Sequence, residues 1–185
     1  PDGTKLAATT TYEDASIFIL DLVDPDRSRI VELSSPTTQD QIESGIVRFA
    51  DAMDWDPRSE FLVYDAFNSV SVEESSLEYW DVNILVLEDE VIIPLFPPQA
   101  PGFHLGNPSF ANTNESFIVF DFYDEAQELN QIWVYDIFTG GAGRITRTGR
   151  FYSFPSFSPD DEHLVFETFN EDRQVLTIER IPLEP

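Results

Sequence analysis

Cysteine is absent from this chain, lysine occurs once, at Lys5, and histidine twice, at His104 and His163. Without cysteine there is no disulfide framework, no thiolate nucleophile and no Cys-ligated zinc, a composition that suits an exported bacterial protein as well as a cytosolic one. Basic residues are scarce, 10 against 35 acidic ones, and the formal charge is -25. A polyanion of this kind repels phosphates and anionic headgroups, so nucleic acid is not expected as a partner, while cations and basic proteins are favoured. Long apolar runs are missing too. Ile17 to Leu20 and Val91 to Ile93 fall far short of the roughly 20 residues of a membrane helix, and no membrane span is expected. Catalytic patterns are equally sparse: there is no Gly-x-Ser-x-Gly elbow, no His-Glu-x-x-His and no Gly-rich phosphate loop. The chain is expected not to be an enzyme. It opens on Pro1-Asp2-Gly3 without a basic, apolar leader, so the start reads as cut.

What is present is a repeat. Phe157-Ser158-Pro159-Asp160-Asp161-Glu162-His163-Leu164-Val165-Phe166 is a turn signal running into an apolar strand, and Trp55-Asp56-Pro57-Arg58-Ser59-Glu60-Phe61-Leu62-Val63-Tyr64 aligns with it without a gap. Phe110 to Asp121 is a third copy with one extra turn residue, and Pro1-Asp2-Gly3-Thr4-Lys5-Leu6 is a fourth without the aromatic residue before it. Each copy leads to a second strand ending in an acid, at Asp21, Glu88, Asp136 and Glu179. These strands are rich in β-branched and aromatic residues. Shorter strands follow at Arg29 to Leu33, Val91 to Leu95 and Arg144 to Arg147, and another precedes each anchor, at Val47 to Trp55, His104 to Phe110 and Tyr152 to Phe157. Four strands per unit, A to D, result.

The anchors Trp55, Phe110 and Phe157 lie 55 and 47 positions apart, the spacing of propeller blades. Pro1-Asp2-Gly3 and Ser158-Pro159-Asp160-Asp161, each followed by an apolar strand, resemble the PD40 repeat of TolB-like (WD40-like) propellers. The turn chemistry has a physical reason: Pro presets φ, Asp bonds the backbone just ahead of it, and Gly tolerates positive φ. The expected fold is therefore all-β, a β-propeller of four-stranded antiparallel blades, with approximate units 1–46, 47–102, 103–150 and 151–185. The strand inventory B-C-D, two complete blades and A-B-C does not close a ring, so an incomplete segment of a larger propeller is expected. The strands starting at Leu6, Phe61, Phe117 and Leu164 should occupy equivalent positions.

Antiparallel alternation puts A–B and C–D turns, such as Pro57 to Glu60 and Gly140 to Gly143, on one face and B–C and D–A loops on the other. The second face should carry the long segments Ser34 to Gly45, Ala66 to Trp80, Pro97 to Gly106 and Phe122 to Leu129, and function is expected there. Its candidate binding residues are Tyr12, Glu73, Glu74, Tyr79, Trp80, Phe103, His104 and Tyr123, an aromatic set among carboxylates that suits a basic protein partner. Asp21, Asp24 and Asp26 crowd a C–D turn and could take Ca2+. No other cofactor is expected. The resemblance implies a non-catalytic protein-interaction or scaffolding propeller of a periplasmic or extracellular bacterial protein. Two alternatives are a substrate-gating propeller of a prolyl-oligopeptidase-like hydrolase whose catalytic domain lies elsewhere, and a structural module of a surface or multi-subunit assembly. The remainder of the same propeller or a neighbouring subunit would then be a further partner.

Overall fold

The computed structural model describes residues 2–9, 15–33, 46–72, 75–97, 100–147, 151–170 and 173–183. They form four antiparallel sheets in chain order. Blade 1 holds β1 (Lys5–Thr9), β2 (Ser16–Asp21) and β3 (Arg29–Glu32); blade 2 holds β4 (Ile46–Trp55), β5 (Phe61–Val72), β6 (Ser75–Val86) and β7 (Val91–Pro94). Blade 3 holds β8 (Phe103–Phe110), β9 (Phe117–Asp124), β10 (Leu129–Asp136) and β11 (Gly141–Arg144); blade 4 holds β12 (Tyr152–Phe157), β13 (His163–Asn170) and β14 (Val175–Pro182). Every strand pairs with its sequence neighbour and no sheet closes on itself. This is an all-β, incomplete propeller segment with the inventory B-C-D, A-B-C-D, A-B-C-D, A-B-C. No helix among the described residues is long and apolar enough to cross a membrane.

The A–B turns show why the repeat folds alike. Thr4, Glu60, Ser116 and Glu162 each accept, through the carbonyl oxygen, the N–H of the residue that follows strand C, at Leu22, Leu87, Ile137 and Leu183. Lys5, Phe61, Phe117 and His163 are therefore equivalent. The expected alignment holds for Phe61 and Phe117 but is one place late at Leu6 and Leu164, because the hydrogen-bonded position just before the apolar run is polar in blades 1 and 4. Gly3, Ser59 and Asp161 share the left-handed position of the turn, with φ of 71°, 57° and 56°. Asp2 and Asp160 accept from the backbone two residues on, at Thr4 and Glu162, and the buried Asp56 accepts from Arg58, Glu60 and Phe61.

Strand alternation sends successive side chains to opposite faces of a blade. From β5, Leu62, Tyr64 and Ala66 enter a core shared with Ile17, Ile19 and Val31 of blade 1, whereas Val63 enters one shared with Leu105, Ile118 and Phe120 of blade 3. Ala111, Val119 and Ile132 meet Tyr152, Leu164 and Phe166 of blade 4 in the third. The core thus lies between blades, and neighbouring A strands pack together, β4 with β8 and β8 with β12.

Several expected boundaries are corrected. The described residues of Ala66 to Trp80 are strand, not loop: β5 and β6 pair from Phe61↔Val86 out to Val72↔Ser75. Its polar residues pair in place, Asn68 Nδ2 donating to Asp81 and the Ser69 and Ser76 hydroxyls 3.1 Å apart. Phe122 to Leu129 contracts to a four-residue turn between β9 and β10, and Pro97 to Gly106 already contains the start of β8. The D strand of blade 3 is Gly141–Arg144, not Arg144 to Arg147, since backbone pairing with β10 needs no side chain. Of the acids expected to end strand C, only Asp21 and Asp136 are equivalent; Val86 and Pro182 take that position in blades 2 and 4. Tyr12 and Ser34 to Gly45 lie outside the described residues, as do Glu73 and Glu74.

Leu6 is the counterpart of Leu62, yet it is 53% exposed and Leu62 is 0% exposed. In this 185-residue chain Leu62→Ala should cost about 2–5 kcal/mol and Leu6→Ala under about 1 kcal/mol by urea denaturation. Equal losses would mean that something covers Leu6.

Candidate binding cleft

Each A strand breaks its pairing at the same place, between Ala50 and Met53 in β4, Gly106 and Ser109 in β8, and Ser153 and Ser156 in β12. A bulge leaves a backbone N–H without its ladder partner, and here carboxylates on the B strands accept it. Asp65 takes Ala52 N–H of its own blade on Oδ1 and Asn107 N–H of blade 3 on Oδ2, both at 2.8 Å. Asp121, at the same position of its strand, takes the Asn107 side chain at 2.8 Å and Phe154 N–H of blade 4 at 3.2 Å. Asp54 adds a third cross-blade acceptor, to Ser109 Oγ and Phe110 N–H.

Gly106 lies between the two strand-B carboxylates. A Cβ there would stand 3.3 Å from Asp65 Oδ2 and from Asp121 Oδ1, so only glycine fits without displacing one of them. Burial pushes the Asp65 carboxyl up to about 7, against the pull of the Asn107 and Ala52 N–H groups and with repulsion from Asp51 and Asp121 added. The same cause lifts Asp121 to about 6, opposed by Asn107, Phe154 and Asn130.

These carboxylates form the floor of an open cleft of about 570 Å³ between blades 2 and 3, reaching Phe154 of blade 4. Asp51, Glu78 and Glu125 are exposed at its margin, and Trp80, His104 and Tyr123 line its walls. Among the lining residues there is no Lys or Arg. Trp80 belongs to a cross-strand aromatic ladder with Phe49 and Phe67, centroids 5.3 to 5.5 Å apart. Its backbone N–H donates to His104 Nδ1 at 3.3 Å, and His104 Nε2 lies 2.8 Å from Glu125 Oε1. An Nδ1 that accepts leaves the proton on Nε2, so this arrangement fits the neutral Nε2–H tautomer donating to Glu125. Tyr123 stacks on the His104 ring, centroids 6.1 Å apart.

Three of the expected binding residues, Trp80, His104 and Tyr123, are thus brought together on the expected face. Two are not. Tyr79 is buried, on the face of β6 that looks toward blade 1, and Phe103 stacks on Phe122 within its own blade. Tyr12, Glu73 and Glu74 fall outside the described residues. The sequence reading missed Asp51, Asp65, Glu78, Asn107 and Asp121. Its one usable signal was an aspartate at the same offset inside two otherwise apolar strands, Val63-Tyr64-Asp65-Ala66 and Val119-Phe120-Asp121-Phe122.

Asp21 and Asp24 act as turn acceptors, Asp21 for Val23 and Asp24 N–H and Asp24 for Asp26 N–H. Those contacts hold Asp21 below the usual carboxylate range, the Asp24 N–H first. Asp21, Asp24 and Asp26 do not gather ligand atoms; among the described residues the group that could hold a metal is Asp160, Glu162 and His163, with ligand atoms within 4.8 Å of one another.

No protein-family model matches the chain, and no curated protein does. Solved structures match throughout its length. A TolB-type protein from Agrobacterium tumefaciens is 16% identical with a TM-score of 0.65, covering 99% of this chain and 59% of its own. TolB from Acinetobacter baumannii is 14% identical at 0.58, covering 96% and 41%. Dipeptidyl peptidase 4 from Porphyromonas gingivalis is 14% identical at 0.60, covering 98% and 30%. The likeness establishes the fold, a β-propeller, which TolB structures and a peptidase share with this chain. The chain spans about three-fifths or less of each of these structures.

The raised carboxyls set a pH dependence. Between about pH 4 and 7 the folded chain holds protons at Asp65 and Asp121 that the unfolded chain has released, so stability falls as pH rises through that window and levels off above it. Urea midpoints should be higher at about pH 5 than at about pH 8, and Asp65→Asn should flatten the difference. Carboxyl 13C titrations should show Asp65 near 7 and Asp121 near 6; midpoints at the ordinary value of about 4 would contradict the burial argument.

Proposed function

We propose that this chain is part of a non-catalytic, protein-binding propeller of an exported bacterial protein, periplasmic or extracellular, and that the cleft receives a basic segment of its partner. The observation that carries the reading is the lining: exposed Asp51, Glu78 and Glu125, the rings of Trp80 and Tyr123 beside them, and no lining cation. Rings supply anchor area and carboxylates steer the approach. The engagement of both His104 nitrogens, by Trp80 N–H and by Glu125, supports a role in holding the walls together over one in proton transfer. A propeller continued by further blades, in the same polypeptide or a neighbouring subunit, is supported by the uncovered apolar residues Leu6 and Leu20 on blade 1 and Ile178 on blade 4.

The test uses the full-length protein and an arginine-rich peptide as probe. Glu78→Lys should slow association at low salt several-fold and weaken its salt dependence, with little change in dissociation. Tyr123→Ala should lower affinity about tenfold or more through dissociation, with Tyr123→Phe close to the parent. An association rate indifferent to Glu78→Lys would leave the acidity as solvation and defeat the proposal.

A further inference from the structure

The three blade junctions are built from equivalent positions, which allows one to be compared with the next. On the A–B and C–D turn face, opposite the cleft described above, the junction of blades 2 and 3 leaves a gap of about 220 Å³ bordered by Phe61, Ile84, Ile93, Leu95, Phe110 and Tyr135. At the junction of blades 3 and 4 the corresponding gap is a groove of about 770 Å³. Phe117, Val134, Ile145, Phe157 and Leu183 form its apolar wall, and Asp161, Glu162 and His163 its rim.

Two equivalent positions carry a smaller residue at the wider junction. Ile93 pairs with Ile84, and at the same place in blade 3 Gly143 pairs with Val134, so an isoleucine in one junction is nothing but hydrogen in the other. A Cβ on Gly143 would meet no atom within 4 Å. Tyr135 of the narrow junction is replaced by the smaller Ile181, as the pairing of Phe117 with Asp136 and of His163 with Pro182 shows. Gly143 does not have a left-handed φ, so the backbone does not require glycine.

An apolar groove of several hundred Å³ with a few polar groups at one end has the form of a ligand site. Its rim has a sign. The Asp161 carboxylate is committed to Asn112, Thr113 and Asn114 N–H and Asp160 to the Ser158 hydroxyl and Glu162 N–H, but the exposed Glu162 side chain makes no ion pair among the described residues. We propose that this groove binds a peptide segment of a partner that inserts one bulky apolar side chain, flanked by arginine or lysine facing Glu162. Charge complementarity selects that occupant, since an acidic segment would meet both the rim and the net charge of -25.

The experiment titrates full-length protein with two probes, acetyl-Arg-Trp-Arg-amide and acetyl-Glu-Trp-Glu-amide, followed by tryptophan fluorescence and by NMR of the Ile145 and Leu183 methyls. The basic probe should saturate and shift those methyls, the acidic one should not, and Gly143→Ile, which places in this groove the side chain that Ile93 places in its counterpart, should weaken the basic probe about tenfold or more. Glu162→Gln should narrow the preference for the basic probe several-fold. A melt of Gly143→Ile no lower than the parent's would show that the groove filled without strain; if that variant folds poorly, Gly143→Ala and Glu162→Gln carry the comparison. Binding within about twofold of the parent in both Gly143 variants, or no saturation by the basic probe, would overturn the proposal. Equal affinity for tryptamine would make the occupant a small amine and overturn the peptide assignment.

Discussion

A blade of this propeller has two apolar faces, and neither can be covered from within the blade. The period of two along β5 sends Leu62 and Tyr64 one way and Val63 the other, so each sheet needs a sheet on both sides. Where it has one, burial is complete: Val82 and Ile132, facing the next blade, are 0% exposed. Ile178 holds the same position on β14 and is 73% exposed. Burying a residue of this size is worth about 1.5–3 kcal/mol, which makes covering the outer faces of blades 1 and 4 as strong a demand as any contact inside the segment.

Apolar stacking alone would let neighbouring sheets slide, and the bulges with their carboxylates remove that freedom. Asp65 accepts one N–H from its own blade and one from the next, which fixes how far apart and at what height two A strands sit. Asp121 repeats the device one junction on. Using a carboxylate where a neutral acceptor would do has a cost, visible in the raised Asp65 and Asp121 carboxyls. The same placement leaves both groups facing the cleft, so junction and site share their floor.

The strand order was legible in the sequence because strand identity rests on local features, the Pro-Asp turns and the apolar runs after them. The cleft was only half legible. Trp80, His104 and Tyr123 could be chosen as aromatic or ionisable residues near strand ends, but alternation decides which face a side chain takes, and Tyr79 next to Trp80 points the other way. The hairpin beyond Ala66 was hidden because Asn68, Ser69 and Ser76 look like loop residues until Asp81 and a facing hydroxyl are across from them. Bulges leave no mark in composition, since what makes Ala52, Asn107 and Phe154 equivalent is a backbone donor, not a side chain. Gly141 and Gly143 misled in the opposite direction, reading as a turn while serving as an edge strand.

The acidity itself divides into two populations with different physics. Among the described residues more than half of the acids are exposed, like Glu78 and Glu125, and a need for solubility or a salt-rich habitat would account for those. It cannot account for Asp54, Asp65, Asp81 and Asp121, each lifted by burial, because a charge withheld from water solvates nothing. Asp65 and Asp121 each take donors from two blades, Asp54 takes Ser109 and Phe110 of blade 3, and Asp81 takes the Asn68 and Asn83 side chains of its own blade. A substitution scan that neutralised exposed acids would therefore alter solubility and steering, whereas the same change at Asp54, Asp65 and Asp121 would alter how the blades are joined, and at Asp81 how β5 and β6 are held within blade 2.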